Sequence, residues 1–128
     1  MPRAYGQHCP IARTLDIIGD RWTLLIVRDL FLGDTRFTEI LEHSPRMPTK
    51  MLSDRLKSLE QHGIVERQVY SEHPLRAEYH LAPLGRTLEP VVSAIFAWGM
   101  QHTLTPAERP AIDRRVAARL AAKQVAAN

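Results

Sequence analysis

The sequence has few of the features that mark secreted, membrane-spanning or disulfide-stabilised proteins. Its single cysteine excludes an internal disulfide and a four-cysteine zinc site. The longest apolar run, WTLLIVRDLFL, is interrupted by Arg28 and Asp29 and is shorter than the roughly 18 residues that a membrane span needs. The segment MPRAYGQHCP lacks the apolar centre of a secretory signal. We therefore expect a cytoplasmic protein without a membrane partner.

The motifs of common enzyme classes are also missing. The chain has no GxGxxG, no P-loop and no GxSxG. Its six histidines are scattered, without a pair at metal-ligand spacing on one helix. The sequence thus predicts a protein that is not an enzyme and needs neither a cofactor nor a metal.

Positive charge is concentrated in one short stretch of the chain. The whole sequence has a net charge of +3, and the segment from Arg46 to Lys57 holds four bases and one acid, which is also +3. Clustered bases on one element are typical of a surface that binds phosphates. A solvated helix face explains the same charges equally well, so charge alone leaves both interpretations open.

Residue spacing predicts helices in the first half of the chain. Pro10 suits the first position of one helix, Gly19 ends it, and Asp20 can cap the next helix, which is apolar nearly all round and ends at Gly33. FTEILEHSP predicts a short third helix. The stretch PTKMLSDRLKSLEQHG predicts a fourth, with an apolar side formed by three leucines: Leu52, Leu56 and Leu59.

The spacing then changes from a helical to a strand period. Alternation in IVERQVY and RAEYHL predicts two strands joined by a turn at SEHPL. PLGRTLEPVVSAIFAWGMQH is again helical, and Pro90 should kink or divide it. A last helix carries a narrow apolar stripe at Ile112, Val116 and Leu120. Two helices joined by a tight turn and followed by a hairpin predict an α+β, mostly α, winged helix-turn-helix.

Several segments in this order resemble the HxlR-type branch of bacterial winged-helix transcription regulators, relatives of the MarR group. The segments are CPIARTLDIIGDRWTLLIVRDL, GDTRFTEIL, KMLSDRLKSLEQHGIVER, RAEYHLAPLGRTL and WGMQH. The resemblance implies a homodimer, built from flanking first and last family helices, that binds an inverted-repeat operator in double-stranded DNA, and a repressor is favoured. We expect a DNA-binding and dimerisation domain over residues 1–104 and an alanine-rich helical extension over 105–128.

Candidate DNA contacts follow from the arrangement, in which the second helix of the pair enters the major groove. On this recognition helix the candidates are the outward polar residues: Thr49, Lys50, Ser53, Asp54 and Lys57. Lys50 suits a guanine edge or a phosphate, Asp54 a cytosine amine, and Lys57 a phosphate. For Arg55, an intramolecular ion pair is as well supported as a DNA contact.

Further candidates lie outside the recognition helix. Arg76 suits a minor-groove or phosphate contact in the wing, and His73 at the tip is either a DNA contact or a plain exposed turn residue. Arg36 and Thr38 border the first helix of the pair and suit phosphates. A winged helix that binds a protein instead of DNA remains the alternative.

Cys9 is the candidate sensor residue. A thiol at a helix N-terminus, next to His8 and one turn from Arg13, is in a setting that favours thiolate. The resemblance implies sensing of small electrophiles, and the alternative is a small residue at the dimer seam. The apolar positions of the flanking helices, Trp98 among them, favour packing over a pocket for an aromatic effector.

Overall fold

The fold comes from a computed structural model that describes residues 8–127, without the side chains of residues 120 and 122–127. The chain divides into two compact units between Arg86 and Thr87. Each unit is described by itself. No helix in the described part of the chain is long and apolar enough to cross a membrane.

The first unit begins with two helices, α1 (Pro10–Ile18) and α2 (Thr23–Phe31). Asp20 Oδ2 accepts hydrogen bonds from the backbone N–H groups of Trp22 at 3.1 Å and Thr23 at 3.2 Å, which confirms the predicted cap. Ile26 in α2 is fully buried, whereas Leu24 is only half-buried. The helix is therefore less completely enclosed than its composition predicts.

The helix-turn-helix pair consists of α3 (Phe37–His43) and α4 (Thr49–Gln61). Glu39 fixes the start of α3, because its carboxylate accepts from the Thr35 N–H at 3.1 Å and the Arg36 N–H at 3.0 Å. After α4 the chain reverses at Gly63, whose φ of 73° lies in the left-handed region that glycine favours.

The wing is an antiparallel pair, β1 (Val65–Glu72) and β2 (Leu75–Leu81). The predicted turn SEHPL is too long, since only His73 and Pro74 lie between the strands. Pairing shifts register between Val69 and Ser71, so β1 carries one extra residue there. This bulge lets the strands continue further toward the tip than simple alternation indicates.

The core of the first unit is formed by apolar side chains from α2, α3, α4 and the start of the wing. The predicted inner face of α4 is confirmed, with Leu52 at 0%, Leu56 at 1% and Leu59 at 1% exposure. α4 contacts both α3 and β1. This burial fixes the opposite, polar face of α4 toward solvent.

The second unit contains α6 (Glu89–His102) and α7 (Arg109–Ala127), while the short α5 (Pro83–Arg86) ends the first. The prediction that Pro90 divides this helical stretch is confirmed, since α5 and α6 are separate helices. Pro90 occupies the first turn of α6, where its missing N–H costs nothing, and the helical pattern is interrupted before Glu89. Of the predicted apolar stripe on α7, Ile112 and Val116 are half-buried, and Leu120 lies outside the described side chains.

Candidate nucleic-acid interface

The outward face of α4 carries all five recognition-helix candidates. Thr49, Ser53 and Lys57 follow one another at four-residue spacing and therefore lie along one side of the helix. Lys50 and Asp54 form a neighbouring row, and their side chains are 88% and 50% exposed. The Lys50 Nζ–Asp54 Oδ2 distance of 3.6 Å makes them an exposed ion pair.

The N-terminus of α4 is open to an anion. Pro48 occupies the N-cap position and provides no side-chain cap, and the first turn contains no acidic side chain. The first backbone N–H groups of the helix therefore have no intrahelical acceptor, and they coincide with the positive end of the helix dipole. Such an end suits a phosphate oxygen. Arg46 is exposed in the preceding turn, and it belongs to the charged stretch although sequence spacing did not single it out.

Arg55 faces the protein rather than the outward surface. Its Nε lies 3.5 Å from Asp20 Oδ2, and both side chains are 20% exposed. The same Nε is 3.3 Å from Met51 Sδ. Of the two interpretations left open by the sequence, the structure has the intramolecular ion pair, which joins α4 to the residue that caps α2.

Arg36 connects the start of α3 to the wing. Its Nε lies 4.0 Å from Glu78 Oε1, and its guanidinium lies over the Tyr70 ring at 5.5 Å from the centroid. Tyr70 is the extra residue at the bulge and is 48% exposed, and no sequence pattern indicated this position. Thr38 is exposed one residue into α3. The Arg36 side chain is thus held against the middle of the wing, while it remains 56% exposed.

The wing tip is exposed on both strands. His73, Leu75 and Arg76 are all exposed, and Leu75 is 63% accessible. The Ser71 hydroxyl donates to the Pro74 carbonyl at 2.9 Å and closes the tip. The predicted wing candidates His73 and Arg76 are therefore available to a partner, three residues apart on a closed hairpin.

Cys9 is the N-cap residue of α1 and is exposed. Its side chain makes no capping hydrogen bond. The Arg13 guanidinium donates to His8 Nδ1 at 2.8 Å, so the two basic neighbours expected to act on the thiol contact each other.

A cavity of about 170 Å³ lies between the end of α2, the following loop and β2. Its lining mixes apolar and polar side chains: Leu30, Phe31, Asp34, Tyr79, His80 and Arg86. Ligand pockets usually measure roughly 300–1,000 Å³. The cavity is too small to point to an aromatic effector by its size alone.

Comparison with known proteins identifies the family. The profile of the HxlR-like helix-turn-helix family matches residues 17–106. YdeP, an HTH-type transcriptional regulator of Bacillus subtilis, is 37% identical over 119 residues, which is 93% of this chain and 88% of YdeP.

Two solved structures of regulators are similar to this chain over nearly their full length. The redox regulator HypR in its oxidised form is 39% identical with a TM-score of 0.69, and the match covers 73% of this chain and 97% of HypR. The reduced form of the regulator YodB from Bacillus subtilis is 41% identical with a TM-score of 0.62, covering 75% of this chain and 95% of YodB. These matches agree with the winged-helix fold. The chain belongs to the HxlR-like helix-turn-helix family of transcriptional regulators, and it is a regulator rather than an enzyme.

Proposed function

We propose that the protein binds a specific inverted-repeat operator in double-stranded DNA as a homodimer and acts as a repressor. The observation that carries this proposal is the geometry of α4, whose leucine face is buried while its polar face is exposed. A helix anchored in this way can enter a major groove without exposing core residues. In our proposal residues 1–104 form the DNA-binding and dimerisation domain, and 105–128 extend it.

The α4 residues divide into two proposed roles. Thr49 and the open helix N-terminus contact phosphate, as does Lys57 further along. Lys50, Ser53 and Asp54 contact base edges. Because Lys50 and Asp54 pair with each other at 3.6 Å, base contact by either residue requires this exposed pair to separate. Exposed pairs of this kind contribute about 0–1 kcal/mol, so the cost is small beside a base contact of about 1–3 kcal/mol.

The remaining contacts are proposed on α3 and the wing. Arg36 and Thr38 at the start of α3 contact the DNA backbone, and Arg76 and His73 contact phosphates or the minor groove from the wing tip. The Arg36 guanidinium stacks over Tyr70 and keeps enough exposure to share a phosphate with the wing.

The proposed dimer surface is the apolar face of the terminal helices. On α6, several large apolar side chains are exposed, with Trp98 at 63% and Ile95 at 52%. Large exposed apolar surfaces of this kind mark protein contacts. A two-fold dimer would bring two recognition helices to two half-sites of an inverted repeat.

Cys9 is proposed as a sensor of small electrophiles. HypR is a redox regulator by name, and Cys9 of this chain is exposed at the start of α1. In the proposed reaction with a quinone, the sulfur forms one bond to a ring carbon as a ring C=C double bond opens, and the thiol proton ends on one quinone oxygen. The hydrogen of the attacked ring carbon then moves to the other oxygen. A hydroquinone thioether results, with no further reactant. Its bulk at the start of α1 would disturb the dimer and weaken DNA binding.

The first experiment measures fluorescence anisotropy with DNA from upstream of the protein's own gene, beside scrambled DNA of equal length, over a salt series. Tight and salt-sensitive binding to the native fragment, with much weaker binding to the scramble, supports the proposal. Equally weak binding to both fragments would instead favour the alternative of a protein partner, provided that binding to such a partner does not weaken as the salt concentration rises.

The sensor role is tested in the same assay by adding benzoquinone. We expect a single adduct on Cys9 by mass spectrometry and weaker operator binding, whereas Cys9→Ser protein should keep its affinity. Equal sensitivity of the parent and the Cys9→Ser variant would show that the effect does not involve this thiol.

A further inference from the structure

Two buried carboxylates and a histidine meet where the end of α3 lies against the end of α2 and the loop that follows it. Asp29 is 0% exposed near the end of α2, and Asp34 is 1% exposed in the loop that follows. His43 is the last residue of α3, and its side chain is 37% exposed. One potential ligand atom from each residue lies within 4.8 Å of the other two.

We propose that Asp29, Asp34 and His43 form a binding site for a divalent transition-metal ion such as Zn²⁺. Zinc bonds to imidazole nitrogen and carboxylate oxygen are about 2.0–2.2 Å long, so two ligands of one tetrahedral ion lie roughly 3.4 Å apart. The ligand atoms, which lie within 4.8 Å of one another, therefore need to move by roughly 1.5 Å at most relative to each other when the ion binds. The imidazole nitrogen distinguishes this set from a surface patch of acids.

The carboxylates are already positioned by their surroundings. The Asp34 N–H donates to the Asp29 carbonyl at 3.0 Å, which fixes the loop against the end of α2. Arg28 Nε donates to Asp29 Oδ1 at 3.0 Å, and the same guanidinium reaches Ser44 Oγ at 3.4 Å. Contacts of this kind orient metal-ligating carboxylates in known sites. The ligands thus need little ordering when an ion binds.

The His43 side chain opens the cluster to solvent, and its nitrogen ligand determines which class of metal ion the cluster suits. Its Nδ1 lies 2.7 Å from Asp34 Oδ2, and its partly exposed ring opens the cluster to solvent, so water can complete the coordination shell. One nitrogen and two carboxylates suit Zn²⁺, whereas Ca²⁺ needs six to eight oxygen ligands. Selectivity for Zn²⁺ over Ca²⁺ follows from this donor set.

The test is calorimetric titration of Zn²⁺ into full-length Cys9→Ser protein, in which the thiol cannot compete for the metal. We expect about one ion per chain, because residues 8–127, as far as they are described, contain one such cluster. In the same background, His43→Gln should weaken binding by roughly tenfold or more. The matched control is His62→Gln, since His62 is an exposed histidine whose ring Nδ1 contacts only the Ser58 carbonyl, at 2.8 Å, among the contacts described for it.

The Cys9→Ser protein, which is the parent in this test, should bind Ca²⁺ far more weakly than Zn²⁺. Zn²⁺ should raise the Tm of this parent and of its His62→Gln variant but not that of its His43→Gln variant. Equal zinc affinity in the His43→Gln variant and the parent would overturn the proposal. So would absence of binding to the parent up to about 1 mM Zn²⁺. Neither readout involves DNA, so this site stands or fails separately from the proposed operator binding.

Discussion

The two units of the chain use apolar residues in opposite ways. In the first unit α4 buries all three leucines of its inner face, whereas α6 in the second unit contains no buried residue at all. α6 instead exposes large apolar side chains, including Trp98 and Phe96. The first unit therefore buries its α4 leucines in a core of its own, whereas the exposed apolar surface of α6 indicates a contact with another protein chain.

The polar contacts that join separate elements also differ between the two units. The first unit contains ion pairs that join separate elements, such as Arg55 with Asp20 and Arg36 with Glu78. In the second unit Arg109 connects two helices, since its guanidinium donates to the carbonyls of Met100 at 2.8 Å and Gln101 at 3.0 Å. We infer that the first unit reads DNA through the polar face of α4, and that α6 of the second unit assembles the dimer together with the exposed apolar side chains of α1, Ile11 and Leu15.

The largest expected effect is on assembly. Truncating a buried interface tryptophan costs at least about 2 kcal/mol, and a two-fold dimer contains the residue twice. Trp98→Ala should therefore cost about 4 kcal/mol and raise the dimer dissociation constant roughly a thousandfold. Light scattering over a dilution series measures this constant.

Leu75→Ala is the matched control, because Leu75 has the same 63% exposure as Trp98 but lies at the wing tip. It should leave the dimer unchanged. If both variants dimerise like the parent, α6 does not form the dimer surface, and the proposed assignment of dimer assembly to α6 is wrong.

A smaller effect, on the affinity for DNA, is expected at the proposed DNA-binding surface of α4. Lys57→Ala removes one proposed phosphate contact from each protomer, which should lower the salt slope of binding by about two units per dimer. Affinity should fall roughly tenfold or more for operator and scrambled DNA alike, since phosphate contacts carry no sequence information. Anisotropy over a salt series measures both quantities. Lys57→Arg keeps the charge and should keep the slope, and an unchanged slope in Lys57→Ala would remove Lys57 from the interface.

A comparison of two ion pairs on α4 tests what stabilises the first unit. Arg55→Ala breaks the largely buried pair with Asp20 and should lower the free energy of unfolding by about 1–2 kcal/mol. Lys50→Ala breaks the exposed pair with Asp54 and should change it by less than about 0.5 kcal/mol. Urea unfolding measures both. A cost for Lys50→Ala equal to that for Arg55→Ala would contradict the assigned roles of the two helix faces.

Local signals explain which parts of the fold were predictable. Pro10, Asp20 and Gly63 act on the backbone within a few residues, so the bounds of α1, α2 and α4 follow closely from the sequence. Pro90 is also a local signal, but whether it kinks a helix or starts one depends on the neighbouring turns. The wing tip was misjudged because a bulge at Tyr70 changes the strand period.

Contacts between distant residues were not predictable from spacing. The Arg36–Glu78 pair and the cluster of Asp29, Asp34 and His43 depend on loops that fold back against helix ends. A search for histidine pairs on one helix misses a site whose ligands come from a helix, a loop and another helix. For Arg55, sequence spacing left two roles open, and only the position of Asp20 distinguishes them.

The smallest expected effect concerns the start of α7 in the second unit. Hydrogen bonds from the Thr105 backbone N–H and hydroxyl to the Glu108 carboxylate hold the pKa of Glu108 below its ordinary value of 4.5. A lowered folded pKa means that the cap stabilises the helix above pH 4.5 and is lost as the pH falls through the folded value. The Thr105 amide signal, followed by NMR, should therefore shift with a midpoint below 4.5 and stay flat in Glu108→Gln. A midpoint at or above the ordinary value would mean that the carboxylate does not cap α7 in solution.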